Sequence, residues 1–181
     1  MKKESTVLYV LKLGLILLTI TAVVAALLGG VNAITKDKIA AMNDEKVAKA
    51  ISLVLDSDAQ PEEIGLDGAP AEISHVYKMG GDGYAVELVV SGSQGAIDMM
   101  TGVKPDGEIT GISIVSHSET AGLGAVYAGD TAKGVAFRDS FVGKSGTVVP
   151  ADVDYKSGAT VSAEAICKGA SAASQYVAGL G

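Results

Sequence analysis

The sequence predicts an α+β protein in which an N-terminal transmembrane helix is followed by a small antiparallel sheet packed with helices. Three observations lead to this fold class. A long apolar run near the N-terminus lacks charged residues. Several strand-like segments follow, with connections too short for crossover helices. The C-terminal segment then repeats small and apolar residues at helical spacing, as expected of a helix that packs closely on a sheet.

The apolar run covers residues 13–35 and is long enough to cross a bilayer, for which about 20 residues suffice. A cleaved secretory signal is the alternative, because Val31-Asn32-Ala33 resembles a signal-peptidase site and basic residues precede the run. The run is longer than the usual apolar region of a signal peptide, about 7 to 15 residues. We therefore favour a retained anchor. Since Cys167 is the only cysteine, a lipoprotein anchor is excluded.

The charges around the span predict its orientation. Lys2, Lys3 and Lys12 precede it against a single acid, Glu4, although two lysines follow the span and weaken the asymmetry. The positive-inside rule then leaves the N-terminus in the cytoplasm of a single-pass protein of the cell membrane. Residues 1–35 are thus predicted to be the cytoplasmic N-terminus and the anchor. The net charge of −7 argues against a nucleic acid as partner.

The segment after the anchor predicts an amphipathic helix and a linker over residues 36–70. Turn formers and acids dominate from Asp56 to Pro70, so the helix ends before this stretch. Residues 71–181 then form the predicted extracytoplasmic domain. The apolar positions that suggest the helix are Ile39, Val47, Ile51, Val54 and Leu55.

Three segments of the domain have strand-like content, at residues 84–90, 96–103 and 108–115. The last two are joined by Lys104–Gly107, in which proline presets φ and glycine accepts a positive φ. A meander of antiparallel strands is the expected outcome. The glycine-rich stretch 116–129 follows as a loop that can approach a ligand closely.

Two helices are predicted after this loop. The first is short and lies within residues 130–146, with Val135, Phe137 and Phe141 expected to face inward. The second covers residues 161–177 and is rich in alanine and serine, so it is expected to pack closely on its neighbour.

Common catalytic motifs fail in this sequence. No Gly-x-Ser-x-Gly elbow or Rossmann glycine pattern occurs, and Arg138 stands where a phosphate loop needs its first glycine. His75 and His117 are far apart and lack partners at metal-ligand spacing. Cys167, within the small-residue helix, is expected to be a buried small hydrophobe. The sequence therefore predicts no catalytic residues and no metal site.

The stretch Asp154–Ser162, "DYKSGATVS", places hydroxyl side chains where a loop becomes a helix. One interpretation is helix capping by Thr160, with Ser162 as the alternative cap, because such oxygens accept from unpaired N–H groups. A second interpretation is attachment of a phosphate, which the positive end of a helix favours. Gly158 and Ala159 leave room for a large group.

Two motifs in this chain resemble those of the FMN-binding domain family. Asp154–Ser162 is similar to its flavin-attachment motif, Asp-x-x-Ser/Thr-Gly-Ala-Thr-x-Ser/Thr. His117–Gly124 resembles the family's His-x-Glu-Thr-Pro-Gly-Leu-Gly loop, with Ala121 in place of the proline, and Phe141–Lys144 fits a weaker element. Either main motif alone is suggestive. Together, and in the expected order, they are specific.

This resemblance implies an FMN cofactor esterified through its phosphate to the Thr160 hydroxyl. A separate flavin transferase, with FAD as donor, would make the bond, and Asp154 is implied in recognition by that enzyme. Ser157 and Ser162 would lie on the phosphate side. The cofactor-binding residues implied in full are Thr160, Ser157, Gly158, Ala159, Ser162, Glu119, Thr120, Leu123 and Gly124.

Within the family, the short chain resembles the G subunits of Rnf-type complexes, which couple ferredoxin oxidation and NAD⁺ reduction to Na⁺ or H⁺ movement. The implied role is a membrane-anchored electron-transfer subunit, the redox part of a multi-subunit translocase. Its implied partners are other membrane subunits, an iron–sulfur subunit and membrane lipid.

Three alternatives remain at this point. The chain could be the C-type subunit of a Na⁺-translocating NADH:quinone reductase, although such subunits are usually longer. It could be a stand-alone extracytoplasmic flavoprotein. A third alternative is an anchored extracytoplasmic binding module without flavin, in which Thr160 only caps a helix.

Overall fold

The computed structural model describes residues 6–155 and 157–180. The chain divides into two compact units, Met1–Glu45 and Lys46–Gly181. The fold is α+β, as predicted. Its elements are α1 (Thr6–Val54), β1 (Glu62–Glu63), β2 (Ile73–Met79), β3 (Gly83–Ser91), β4 (Ala96–Val103), β5 (Ile109–His117), α2 (Ala125–Ala128), α3 (Ala132–Asp139), a 3₁₀ turn (Pro150–Asp152) and α4 (Thr160–Ala178).

The first unit contains α1 as far as Glu45, and the last turns of this helix belong to the second unit. α1 is the one helix of the described chain that is long and apolar enough to cross a membrane. Its most apolar stretch has a mean hydropathy of 2.5 and is unburied. Threonine hydroxyls of α1 are satisfied by the helix itself, since Thr19 donates to the Leu15 carbonyl at 2.8 Å and Thr35 to the Val31 carbonyl at 2.9 Å. Such internal bonding suits a segment that lies in lipid. Lys2, Lys3 and Glu4, which predicted the orientation, lie outside the described residues.

The second unit contains a five-stranded antiparallel sheet in the order β1-β2-β3-β4-β5. The meander predicted for β3, β4 and β5 is confirmed, and β4 has the predicted bounds. The sequence does not predict the other two strands. β1 has two residues within the predicted linker, and β2 has an irregular register between Ile73 and His75. In β2 every third residue is buried, so the strand lacks the alternation by which a sequence reveals one.

Helix α4 covers one face of the sheet and buries the main core. Ile166, Ala170 and Val177 are fully buried against strand residues such as Leu88 and Met99. A Cβ on Gly169 would lie 2.9 Å from both the Met99 sulfur and a Val90 methyl group. The small residues of α4 therefore permit a close approach to the sheet, as predicted.

The C-terminal end of α1 covers part of the opposite face. Ala50, Ile51, Val54 and Leu55 are buried there against Met79, Ala85 and Met100. The Thr110 hydroxyl donates to the Val54 carbonyl at 2.5 Å, which satisfies an acceptor of the last helical turn.

The short predicted helix is present as α3, but one of its three expected core residues is misplaced. Phe137 and Phe141 are buried, whereas Val135 is 43% exposed. Residues two apart lie on nearly opposite sides of a helix, so Val135 and Phe137 cannot share one face. The inward position is taken by Arg138, whose guanidinium donates to the carbonyls of Tyr127 and Gly129 at 3.2 and 2.9 Å.

Candidate functional site

Thr160 is the first residue of α4 and its side chain is exposed. The preceding residue, Ala159, has φ −150° and ψ 54° and provides no side-chain cap. The interpretation of Thr160 or Ser162 as the N-cap is therefore wrong, because a capping oxygen belongs to the residue before the first helical one. The N–H groups of the first turn have no acceptor within the helix, so the α4 N-terminus can receive an anion.

The Thr160 hydroxyl has one partner in the described chain, the phenol of Tyr155. The two oxygens are 2.7 Å apart. Tyr155 is half-buried, and its ring lies 5.3 Å from the ring of Tyr127, which packs edge-on against Phe137 at 5.0 Å. A series of aromatic side chains thus connects the core to the exposed threonine oxygen.

A sharp turn precedes α4. Ser157 and Gly158 have φ values of 116° and 100°, and Ser157 is the one described residue other than glycine with a positive φ. Such a conformation is costly for serine and is found mainly at functional positions. The Tyr127 hydroxyl donates to the Ser157 carbonyl at 3.2 Å, so the same tyrosine that packs on Tyr155 also supports the turn.

Glu119, in the loop after β5, is a buried acid that joins three segments. It accepts from the Ser162 hydroxyl at 2.7 Å and from the Gln94 N–H at 3.2 Å, and its own N–H donates to His117 Nδ1 at 3.2 Å. Burial alone raises the pKa of the Glu119 carboxyl. The hydrogen bonds from Ser162 and from backbone N–H groups, together with His117, outweigh burial and leave this pKa below its usual value.

Two glycines make room for the Glu119 carboxylate. A Cβ on Gly92 or on Gly124 would overlap its oxygens, and a Cβ on Gly124 would also lie 2.5 Å from the Ser162 hydroxyl. Gly124 of the predicted loop motif is therefore required by packing beneath the site.

The two motifs meet in one cleft of about 380 Å³, within the usual range for small-molecule sites. The loop motif contributes Leu123 and Gly124, and the β3–β4 connection contributes Ser93. Leu123 and Val161 are 57% and 54% exposed and give the cleft apolar edges. The residues from α4 and the turn before it are Gly158, Ala159, Thr160, Val161 and Ser162.

Four of the residues implied by the motifs lie outside the lining of this cleft. One is Glu119, whose carboxylate lies beneath it. Thr120 shapes the loop through its carbonyl, which accepts from the N–H groups of Leu123 and Ala125 at 3.1 and 3.3 Å. Ser157 is exposed on the turn. Asp154 borders a separate cavity of about 190 Å³ with Tyr127 and three residues of α3.

Sequence reasoning does not single out Tyr155, Tyr127, Ser93 or Val161. Tyr155 and Val161 occupy variable positions of the flavin-attachment motif, where the pattern accepts any residue.

The prediction for Cys167 is confirmed: it is buried, and burial raises the pKa of its thiol to about 12.

The comparison with known families identifies the class of the domain first. Residues 92–175 match the FMN-binding domain, a range that begins at the end of β3 and includes the cleft and most of α4. Residues 1–54 match the RnfG N-terminal region, which ends where α1 ends.

Curated relatives narrow the class to a particular family. The G subunit of the Na⁺-translocating ferredoxin:NAD⁺ oxidoreductase complex of Acetobacterium woodii is 39% identical over 75% of this chain and 70% of its own length. The G subunit of the ion-translocating oxidoreductase complex of Methanosarcina acetivorans is 32% identical over 89% and 90%. A proton-translocating counterpart from Clostridium ljungdahlii is 36% identical over 52% of each chain. The chain belongs to the family of G subunits of ion-translocating oxidoreductase complexes.

Proposed function

We propose that this chain is a membrane-anchored electron-transfer subunit of an Rnf-type ferredoxin:NAD⁺ oxidoreductase complex and carries FMN covalently on Thr160. The names of the relatives and the FMN-binding domain support the redox role. One observation carries the covalent attachment. Thr160 presents an exposed hydroxyl at the uncapped N-terminus of α4, within the cleft that both motifs line.

The described residues fit an FMN phosphate at this position. The α4 N-terminus offers unpaired N–H groups and the positive end of a helix of 19 residues. A Cβ on Gly158 would meet no atom within 4 Å, so space is open beside Thr160. Leu123 and Val161 offer apolar contact for the flavin ring. Bound FMN supplies the electron-accepting and electron-donating chemistry, and the protein positions it.

The roles proposed for the polar residues differ from one another. Ser157 is exposed on the turn, and we assign it to the phosphate side of Thr160. Ser162 and Glu119 are buried and bonded to each other, so we assign them to holding the loop motif against α4. Thr120 fixes the conformation of that loop.

We assign the attachment reaction to a separate flavin transferase that uses FAD as donor. Asp154 is exposed and lies outside the cleft lining, so the transferase can contact it while Thr160 reacts. The Asp154 N–H donates to the Ser140 hydroxyl at 2.9 Å, which fixes the backbone of this recognition residue.

The proposed topology follows the domain organisation predicted from the sequence. Residues 1–35 form the cytoplasmic N-terminus and the membrane anchor, residues 36–70 the amphipathic helix and linker, and residues 71–181 the extracytoplasmic domain. A reversibly bound cofactor would be lost outside the cell as its free concentration fell, because occupancy depends on the ratio of ligand concentration to Kd. An ester to Thr160 removes this dependence.

The proposed partners are the other membrane subunits of the complex, an iron–sulfur subunit and membrane lipid. The proposed coupling ion is Na⁺ or H⁺, the two ions that the names of these relatives give. The same relatives are named as G subunits, which favours the Rnf-type complex over a quinone reductase.

The test of the attachment site uses the full chain co-expressed with a flavin transferase. We expect wild-type protein to show flavin fluorescence after denaturing electrophoresis and an intact mass increased by one esterified FMN. Thr160→Ala should lose both signals. Thr147→Ala, a change at an exposed threonine that does not line the cleft, should keep them. Wild-type protein without flavin would refute covalent attachment.

A further inference from the structure

We propose that Tyr155 is a positioning residue that orients the Thr160 hydroxyl for attachment of the flavin. This inference rests on the proposed function of Thr160. Its basis is the hydrogen bond of 2.7 Å between the phenol oxygen and Thr160 Oγ1.

An exposed threonine in the first turn of a helix is not fixed by its own backbone. Threonine divides between two χ1 rotamers in helices, and only one of them keeps Oγ1 near Tyr155. The bond to the phenol therefore selects one direction for the oxygen that is to react. Thr160 is exposed, so side-chain packing does little to make this selection.

Tyr155 can select a rotamer because it is itself held in place. Its ring contacts that of Tyr127 at 5.3 Å, with an angle of 49° between the planes. Tyr127 is 3% exposed, packs on Phe137 and donates to the Ser157 carbonyl. The position of the Thr160 oxygen is thus fixed relative to both the core and the strained turn.

The reaction that this orientation serves is a displacement at phosphorus. Thr160 Oγ1 forms a bond to the FMN phosphorus of FAD, the bond from that phosphorus to the AMP phosphate oxygen breaks, and AMP leaves. The hydroxyl proton passes to a base of the transferase. Tyr155 changes neither its bonds nor its charge in this step. A correctly oriented nucleophile lowers the barrier without further chemistry.

The test measures steady-state loading of full-length apo-protein in detergent by a purified flavin transferase with FAD. Tyr155→Phe removes the phenol oxygen and keeps the ring. A neutral hydrogen bond contributes about 0.5–1.5 kcal/mol, so we expect kcat for loading to fall about 2- to 10-fold. The KM for the apo-protein should be unchanged, because Asp154 and the backbone are intact.

The matched control is Tyr176→Phe. The Tyr176 phenol lies 3.5 Å from the Gly65 carbonyl, and Tyr176 does not line the Thr160 cleft. This variant should load at the wild-type rate. The melting temperature of each variant should fall by a few degrees at most, since each variant loses one neutral hydrogen bond at a half-buried position.

The outcomes separate this inference from the proposed function. If wild-type protein loads, Thr160→Ala does not, and Tyr155→Phe loads at the wild-type kcat, the positioning role is overturned while covalent attachment stands. A rise in KM at constant kcat would assign Tyr155 to transferase binding and would also overturn it. Loss of folding in Tyr155→Phe would assign a structural role instead. Absence of loading in the wild type would overturn both proposals.

Discussion

Glu119 is an acidic side chain that is only 8% exposed, yet its pKa is lowered. Its oxygens accept from the Ser162 hydroxyl and the Gln94 N–H, and these bonds keep the pKa of the carboxyl low in spite of burial. Each bond crosses between chain segments that are distant in sequence. The Glu119 carboxylate therefore holds the β3–β4 loop and α4 against the loop after β5.

Replacement of this carboxylate should weaken the domain in a pH-dependent way. We expect Glu119→Gln to lower the free energy of unfolding by about 1–3 kcal/mol at pH 7, because charge-assisted bonds are lost from a buried site. Because the pKa of Glu119 in the folded protein is below its ordinary value of 4.5, the carboxylate stabilises the fold at pH values above 4.5. This stabilisation is lost as the pH falls through the pKa of the folded state. The difference in the free energy of unfolding between variant and wild type should therefore shrink towards about pH 3.

Chemical denaturation at pH 7, 5 and 3.5 checks this expectation. Glu164→Gln, a change at an exposed acid of α4, the helix that contains Ser162, should have little effect at any pH. Burial raises the pKa of Glu87 and of Asp98, so their contribution to stability changes with pH in the direction opposite to that of Glu119. Their contribution cancels when the free energies of unfolding of variant and wild type are subtracted. An equal loss at pH 7 and pH 3.5 would contradict the role assigned to the Glu119 charge.

Among the elements, the contact between the end of α1 and the sheet depends on two paired glycines. Gly102 of β4 is opposite Gly111 of β5. A Cβ on Gly102 would overlap the Val54 carbonyl and the Thr110 hydroxyl, and a Cβ on Gly111 would lie 3.1 Å from the Val54 Cα. The absence of side chains at this pair lets the helix backbone lie directly on the strands.

We expect Gly102→Ala to lower the free energy of unfolding by about 1–3 kcal/mol, as overpacking of a close contact does. The added methyl group would also push the Thr110 hydroxyl away from the Val54 carbonyl. Gly81→Ala is the matched control, because a Cβ there meets no atom within 4 Å. Thermal or urea unfolding of both variants provides the measurement, and equal stability would contradict the close contact.

The elements differ in how clearly the sequence encodes them. β3 and β4 are strongly apolar, and Lys104–Gly107 marks the turn before β5, so this meander is predictable. β2 has an irregular register that interrupts its alternation, and β1 is too short to carry a pattern. The inward position expected of Val135 is wrong because apolar character alone does not give a side chain's direction on the helix.

The candidate site is predictable to the extent that its chemistry lies in short motifs. The segments containing Thr160 and Gly124 are predicted to act together, and they do line one cleft. The contact of Tyr155 with Thr160 is not predictable, because it depends on how the Tyr127 ring packs in the core. Burial of Ser162 likewise results from the path of a distant loop.

At the scale of the whole molecule, apolar and acidic residues are separated along the chain. The uncharged run within α1 is unburied, whereas the sheet and its helices enclose a core of their own. Most of the 21 acidic residues follow the run. This separation suits a protein whose first part lies in lipid and whose second part faces water.

Because Cys167 is buried, a single cysteine introduced elsewhere can be labelled selectively and can report the membrane orientation of the protein. Its thiol, the only one in the chain, is 2% exposed and has a pKa raised to about 12, so maleimides should leave the native protein unmodified. A membrane-impermeant maleimide on intact cells should then label Gln60→Cys but not Lys3→Cys. Both variants should be labelled in permeabilised cells. Labelling of Lys3→Cys but not of Gln60→Cys on intact cells would contradict the proposed topology.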